Sequence, residues 1–121
     1  MTTRGVRGAT TIEFDSKDNV LSATKELLEM ILRANIDLET RDIASAIFTV
    51  TDDIVSAYPA LAARQMGWDS VPMMCAQEIP VDGSLPLCIR VLIHWNTDKS
   101  QNEISHVYLR DAVILRPDLV K

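Results

Sequence analysis

The chain has 121 residues, 47% hydrophobic and 24% charged, and its 12 basic and 17 acidic residues leave a formal net charge of −5. That length suits one domain over residues 1–121 burying roughly two-thirds of its unfolded surface, and the composition excludes disordered, collagen-like and low-complexity classes. The acidic balance argues against nucleic acid as a partner, no apolar run approaches the roughly 18 residues of a membrane span, and residues 1–14 hold no signal-peptide core, so a cytoplasmic protein without a membrane partner is expected.

Residues 3–12 (TRGVRGATTI) predict a first strand, with Arg7 on the same pleat face as Gly5 and Ala9, small neighbours that leave room around the guanidinium. Asp15 or Ser16 is placed to cap the longest helix, in which Val20, Thr24, Leu27 and Ile31 recur at helical spacing, Leu21, Leu28 and Leu32 widen the stripe, and Asn35 marks the end. A capped turn at 37–42 leads into residues 44–51 (ASAIFTVT), an almost unbroken apolar run that predicts a central strand buried on both faces. Thr51 or Asp52 caps a short segment, and Pro59 opens a helix (PALAARQM) that carries Arg64 in its last turn and stops at Gly67.

Further strands are expected at 71–77 (VPMMCAQ) and, after an Asp82-Gly83 turn, at 87–95 (LCIRVLIHW). Asp98 with Gln101 resembles a capping box for a single helical turn, followed by two more strands at 105–109 and 113–115. The pattern reads as an α+β fold with a mixed or antiparallel β-sheet and helices on one side. Many strands and few helices leave one sheet face partly uncovered, which hints at association through strands.

Arg90 stands in a run, Cys88 to Ile93, that otherwise reads as core, and a buried guanidinium needs an anion. On strand periodicity it shares a face with Cys88, Leu92 and His94, while Ile89, Val91, Ile93 and Trp95 take the other. The plain reading is a salt bridge to a carboxylate of the chain or an edge position open to water, and the functional reading is an anion of a ligand. Arg7 and Arg116 repeat the pattern of an arginine embedded in strand-like apolar sequence, and the planar guanidinium fork suits bidentate recognition of carboxylate or phosphate. With four glycines and no phosphate-cradling glycine motif, carboxylate is the better expectation.

Other chemistry is sparse. His94 and His106 lack metal-ligand spacing, so no metal is expected. Cys75 and Cys88 are too few for a disulfide framework and wrongly spaced for a zinc site, and both read as reduced thiols. Cys75 as a small core residue, Glu78 as a solvated charge and Tyr108 as half-buried packing are the plain readings; a nucleophile, a general base and a ligand contact are the functional ones.

The segments RGVRGATT (4–11), TVTDD (49–53), YPALAAR (58–64), VPMMCAQE (71–78) after a Gly-Trp pair, CIRV (88–91), NTD (96–98), HVYL (106–109) and LRPDL (115–119) resemble, from end to end, the small monofunctional homotrimeric class of chorismate mutase. The resemblance implies a trimer similar in outline to an α/β barrel, with the active sites in clefts between subunits. It also implies the Claisen rearrangement of chorismate to prephenate, a pericyclic reaction that uses no nucleophile, metal or cofactor. Arg90 would then stabilise charge growing on the ether oxygen, Arg7 and Tyr108 would grip the enolpyruvyl carboxylate, and Glu78 and Cys75 would meet the ring hydroxyl. Tyr58, Met73, Met74 and Leu115 would wall the cleft, with Arg64 and Arg116 adding positive potential at its mouth.

Regular pleating puts Cys75 and Glu78 on opposite faces, so their meeting requires a bend near Ala76 and Gln77. The chain departs from some members at Leu61, where they carry lysine, and at Tyr58, where they carry phenylalanine. Two readings from other classes stay open: a non-catalytic trimeric sensor of an aromatic-pathway carboxylate, and a trimeric enamine or imine deaminase of the Rid type.

Overall fold

The computed structural model describes residues 1–115, and Arg116 with the rest of the LRPDL segment after Leu115 lies outside them. In chain order the elements are strand β1 (Thr2–Thr11), helix α1 (Lys17–Ala34), strand β2 (Ile43–Val50), helix α2 (Pro59–Gln65) and strands β3 (Met73–Gln77), β4 (Cys88–Thr97) and β5 (Val107–Tyr108). The Ser16 side chain caps α1 by accepting from the Asn19 amide at 3.1 Å. Asn35 closes it, donating from Nδ2 to the Ile31 carbonyl while pairing with the Ser105 backbone through both amide atoms. Pro59 starts α2, and Gly67 at φ 93 ends that segment in a left-handed turn. No described helix is long and apolar enough to cross a membrane.

The strands form one mixed sheet in the order β3-β2-β4-β1-β5. β4 runs antiparallel to both β1 and β2, whereas β3 and β5 add parallel strands at the two edges. Alternation does the rest: Val6, Ala46, Phe48, Val91, Ile93 and Trp95 face α1 and α2 and build the core with Leu27, Leu28, Ile31, Ala60 and Ala63. Gly8 allows α1 to press onto β1, since a Cβ there would stand 2.7 Å from Ile31 Cδ1. Both helices cover the same sheet face, as the hydrophobic patterns require.

Several expectations change. β2 is interior, between β3 and β4, but buried on one face only: Ser45, Ile47 and Thr49 stay half-buried because no layer among the described residues covers them. The short segment after Thr51 is a turn, in which the Thr51 carbonyl accepts the Ile54 N–H at 3.0 Å. The capping box is made by Ser100 and Glu103 around a short 3-10 turn, not by Asp98 and Gln101, because the Gln101 amide is engaged with both backbone groups of Gly5. The strand expected at 105–109 shrinks to β5. The one expected at 113–115 is absent: Arg110 turns the chain at φ 54 into a 3-10 helix, Arg110–Ile114, that tucks Ala112 against Ala9, Cys88 and Tyr108.

Candidate active site

The uncovered face of the sheet carries the charged residues, and cross-strand register arranges them in rows. In one row Tyr108, Ala9, Arg90 and Thr49 lie side by side across β5, β1, β4 and β2. In the next, Arg7, Leu92, Ile47 and Met74 span β1, β4, β2 and β3. The small Ala9 between Tyr108 and Arg90 keeps the floor low, and the result is a cavity of 300 Å³ lined by Arg7, Ala9, Ile47, Thr49, Glu78, Arg90, Leu92, Tyr108 and Leu115. The pleat face assigned to Arg90 from spacing is the observed one.

Arg90 and Glu78 meet at 3.8 Å between Nε and Oε2, with their side chains 38% and 29% exposed. The carboxylate option for the Arg90 anion is thus partly realised within the chain. At that separation no hydrogen bond forms, and Arg90 Nε is a buried donor with no acceptor among the described residues. A guanidinium N–H left unsatisfied at a cavity is poised for an anionic or strongly polar guest. Thr49 Oγ1 donates to Glu78 Oε2. Burial pushes the Cys88 thiol up, with the nearby Arg90 charge partly opposing the shift. Tyr108 is buried against Ala9, Cys88 and Ala112, and Leu115 packs on the same cluster. The Arg7 backbone N–H donates to His106 Nδ1 at 2.9 Å, fastening β1 to the segment that carries Tyr108.

Of the remaining expected residues, Tyr58, Arg64, Met73 and Cys75 do not line this cavity. Cys75 and Met73 point to the helix side of β3 and pack against the core, while Met74 is exposed on the open face. Cys75 lines a separate 460 Å³ cavity with Tyr58, Leu61, Pro59 and Ala76, at the β3 edge of the sheet. Tyr58 is 71% exposed there, and Arg64 is exposed at the end of α2. The bend expected to unite Cys75 and Glu78 does not do so: Glu78 turns to Arg90 after the strand ends, but Cys75 keeps its core-side register opposite Phe48. Thr49 and Ile47 are lining residues that spacing alone did not single out, whereas Leu92 lies on the Arg90 face that spacing assigned to it. The available signal was that Thr49 alternates with the core residue Phe48, but its partner Arg90 is fixed by register between strands distant in sequence.

Residues 3–119 match the family described as chorismate mutase type I. The chain is 54% identical over 116 residues to a chorismate mutase AroH of Thermus thermophilus, covering 96% of this chain and 95% of that protein. It is 44% identical over 120 residues to a chorismate mutase AroH of Bacillus subtilis (strain 168), covering 98% and 94%. A solved structure of a chorismate mutase from Clostridium thermocellum superposes with a TM-score of 0.88 at 49% identity, covering 91% of this chain and 97% of that one.

Proposed function

The chain belongs to the type I chorismate mutase family and acts as a chorismate mutase, and we propose that the rearrangement of chorismate to prephenate takes place between two copies of it in a homotrimer. The observation that carries this reading is the division of the site: Arg7, Glu78, Arg90, Tyr108 and Leu115 surround one cavity, whereas Tyr58 and Cys75 line another at the β3 edge. A neighbouring subunit that presents its β3 edge to the first cavity would join the two halves. The open face supports such packing, since Met74 and Leu92 expose apolar surface there, Ile79 and Val81 do so in the loop after β3, and β3 is an edge strand.

Chorismate is a dianion that must fold into a compact conformer before its ether bond breaks. Fixed cationic contacts supply that ordering in advance, which lowers the entropic part of the barrier. In this cleft Arg7 and Tyr108 would hold the enolpyruvyl carboxylate, and Glu78, with Cys75 of the neighbouring copy, would take the ring hydroxyl. Arg64, exposed at the end of α2, and Arg116 would add positive potential at the mouth. The unsatisfied Nε–H of Arg90 is the donor suited to the ether oxygen. Its hydrogen bond strengthens as negative charge grows there, so it binds the transition state more tightly than the ground state.

The test is chorismate turnover by wild type and Arg90→Ala, with light scattering of both. A folded, trimeric Arg90→Ala protein is expected to lose on the order of 10²–10³ or more in kcat with a smaller change in KM. A loss confined to KM, or a fully active monomer, would contradict the reading.

A further inference from the structure

The TVTDD segment runs past both members of the Glu78–Arg90 pair, and its alternate side chains hydrogen-bond to the segments on either side that carry them. Thr49 Oγ1 donates to Glu78 Oε2, and the Glu78 backbone N–H donates to the Val50 carbonyl at 2.8 Å. Thr51 Oγ1 accepts from the Cys88 N–H at 3.0 Å and donates to Asp53 Oδ1 at 2.5 Å. The Asp53 carboxylate accepts the Leu87 N–H through both oxygens, at 3.2 and 3.0 Å. Leu87 and Cys88 lead directly into Arg90, and Leu87 sits at φ 50, in the left-handed region that a leucine avoids unless held there.

We propose that Thr49, Thr51 and Asp53 are positioning residues of the reaction, Thr49 orienting the Glu78 carboxylate and Thr51 with Asp53 clamping the strained entry to β4 that aims Arg90. The proposal deepens the cleft reading and rests on Glu78 and Arg90 working there. The plain alternative is that these polar side chains satisfy a turn and matter for stability alone. The two differ in what they move. A turn that only stabilises lowers the unfolding midpoint and leaves the kinetics of folded enzyme unchanged. A clamp changes the kinetics, and changes different parameters at its two ends: ring-hydroxyl binding through Glu78, and transition-state stabilisation through Arg90.

Steady-state chorismate kinetics of the assembled enzyme, with unfolding midpoints, test this directly. Thr49→Val keeps the strand shape without the hydroxyl and is expected to raise KM about fivefold or more, while Thr49→Ser stays near wild type. On a Glu78→Ala background Thr49→Val should add nothing. Asp53→Ala is expected to lower kcat about fivefold or more, Asp53→Asn, which keeps an acceptor for Leu87, much less. Leu87→Gly should restore kcat to Asp53→Ala, because glycine adopts φ 50 without a clamp. An equal Thr49→Val effect with and without Glu78, or an Asp53→Ala variant that loses midpoint but not kcat, would overturn the proposal. Wild-type kinetics for Glu78→Ala would instead remove Glu78 from the cleft and take the role of Thr49 with it; the Asp53 and Leu87 variants would still report on Arg90.

Discussion

The two faces of this sheet are drawn from alternate residues of the same strands, yet they do opposite work. On the helix-covered face, Val6, Phe48, Val91, Ile93 and Trp95 are at most 3% exposed. On the other, one residue away in each strand, stand Arg7, Thr49, Arg90 and Leu92. The core face recovers the free energy lost in ordering the chain, through apolar burial. The open face can therefore carry uncompensated donors such as Arg90 Nε at limited cost to the fold. Stability and chemistry are separated by the two-residue period of the strand.

The sharpest way to break that separation is a cavity on the closed face. Phe48→Ala, next to Thr49 in the chain and fully buried, should cost about 3–5 kcal/mol in urea unfolding while the folded fraction keeps its kcat. A collapse of kcat at unchanged stability would mean that the faces are not separable. Gly8→Ala probes the point where they are most closely coupled. Its methyl group would meet Ile31 Cδ1 at 2.7 Å, Leu27 Cδ1 at 3.2 Å and Val91 Cγ1 at 3.3 Å, and Gly8 lies between Arg7 and Ala9. Overpacking of this kind should cost about 1–3 kcal/mol and, by shifting β1, raise KM as well. A variant as stable and active as wild type would show that α1 yields freely.

The smallest effect lies away from both faces. Ser56 Oγ and the Val55 N–H donate to Asp15 at 2.6 and 3.0 Å and hold its carboxyl below the usual range, tying the start of α1 to the loop before Tyr58. A carboxyl lowered on folding adds stability that is present above about pH 4 and is lost as pH falls through the folded value. Unfolding midpoints of wild type and Asp15→Asn should therefore differ at neutral pH and converge in acid. Parallel curves across that range would show that Asp15 adds nothing through its charge.

Much of the layout was legible because it depends on neighbours in the chain. Ser16, Asn35, Pro59 and Gly67 punctuate the helices where local hydrogen bonding and backbone preference require, and the pleat of 88–95 put Arg90 opposite Ile89 and Val91. Errors arose where a distant partner intervened. Gln101 was drawn to Gly5, which moved the capping box, and residues 113–115 found no strand to pair with once Arg110 turned the chain. The buried look of 44–51 reflected apolar side chains on both faces, but among the described residues the second face stays only half-buried.

The sequence by itself determined the two helices, the four longer strands, the pleat face on which Arg90 lies, and the family. Those follow from short-range periodicity, capping chemistry and residue type. Only the tertiary structure decided the strand order and register that set Thr49, Arg90, Ala9 and Tyr108 in one row and left Cys75 and Tyr58 at another edge. Register is a property of hydrogen bonds between strands far apart in the chain, and a one-residue slip would have turned every one of these side chains to the opposite face.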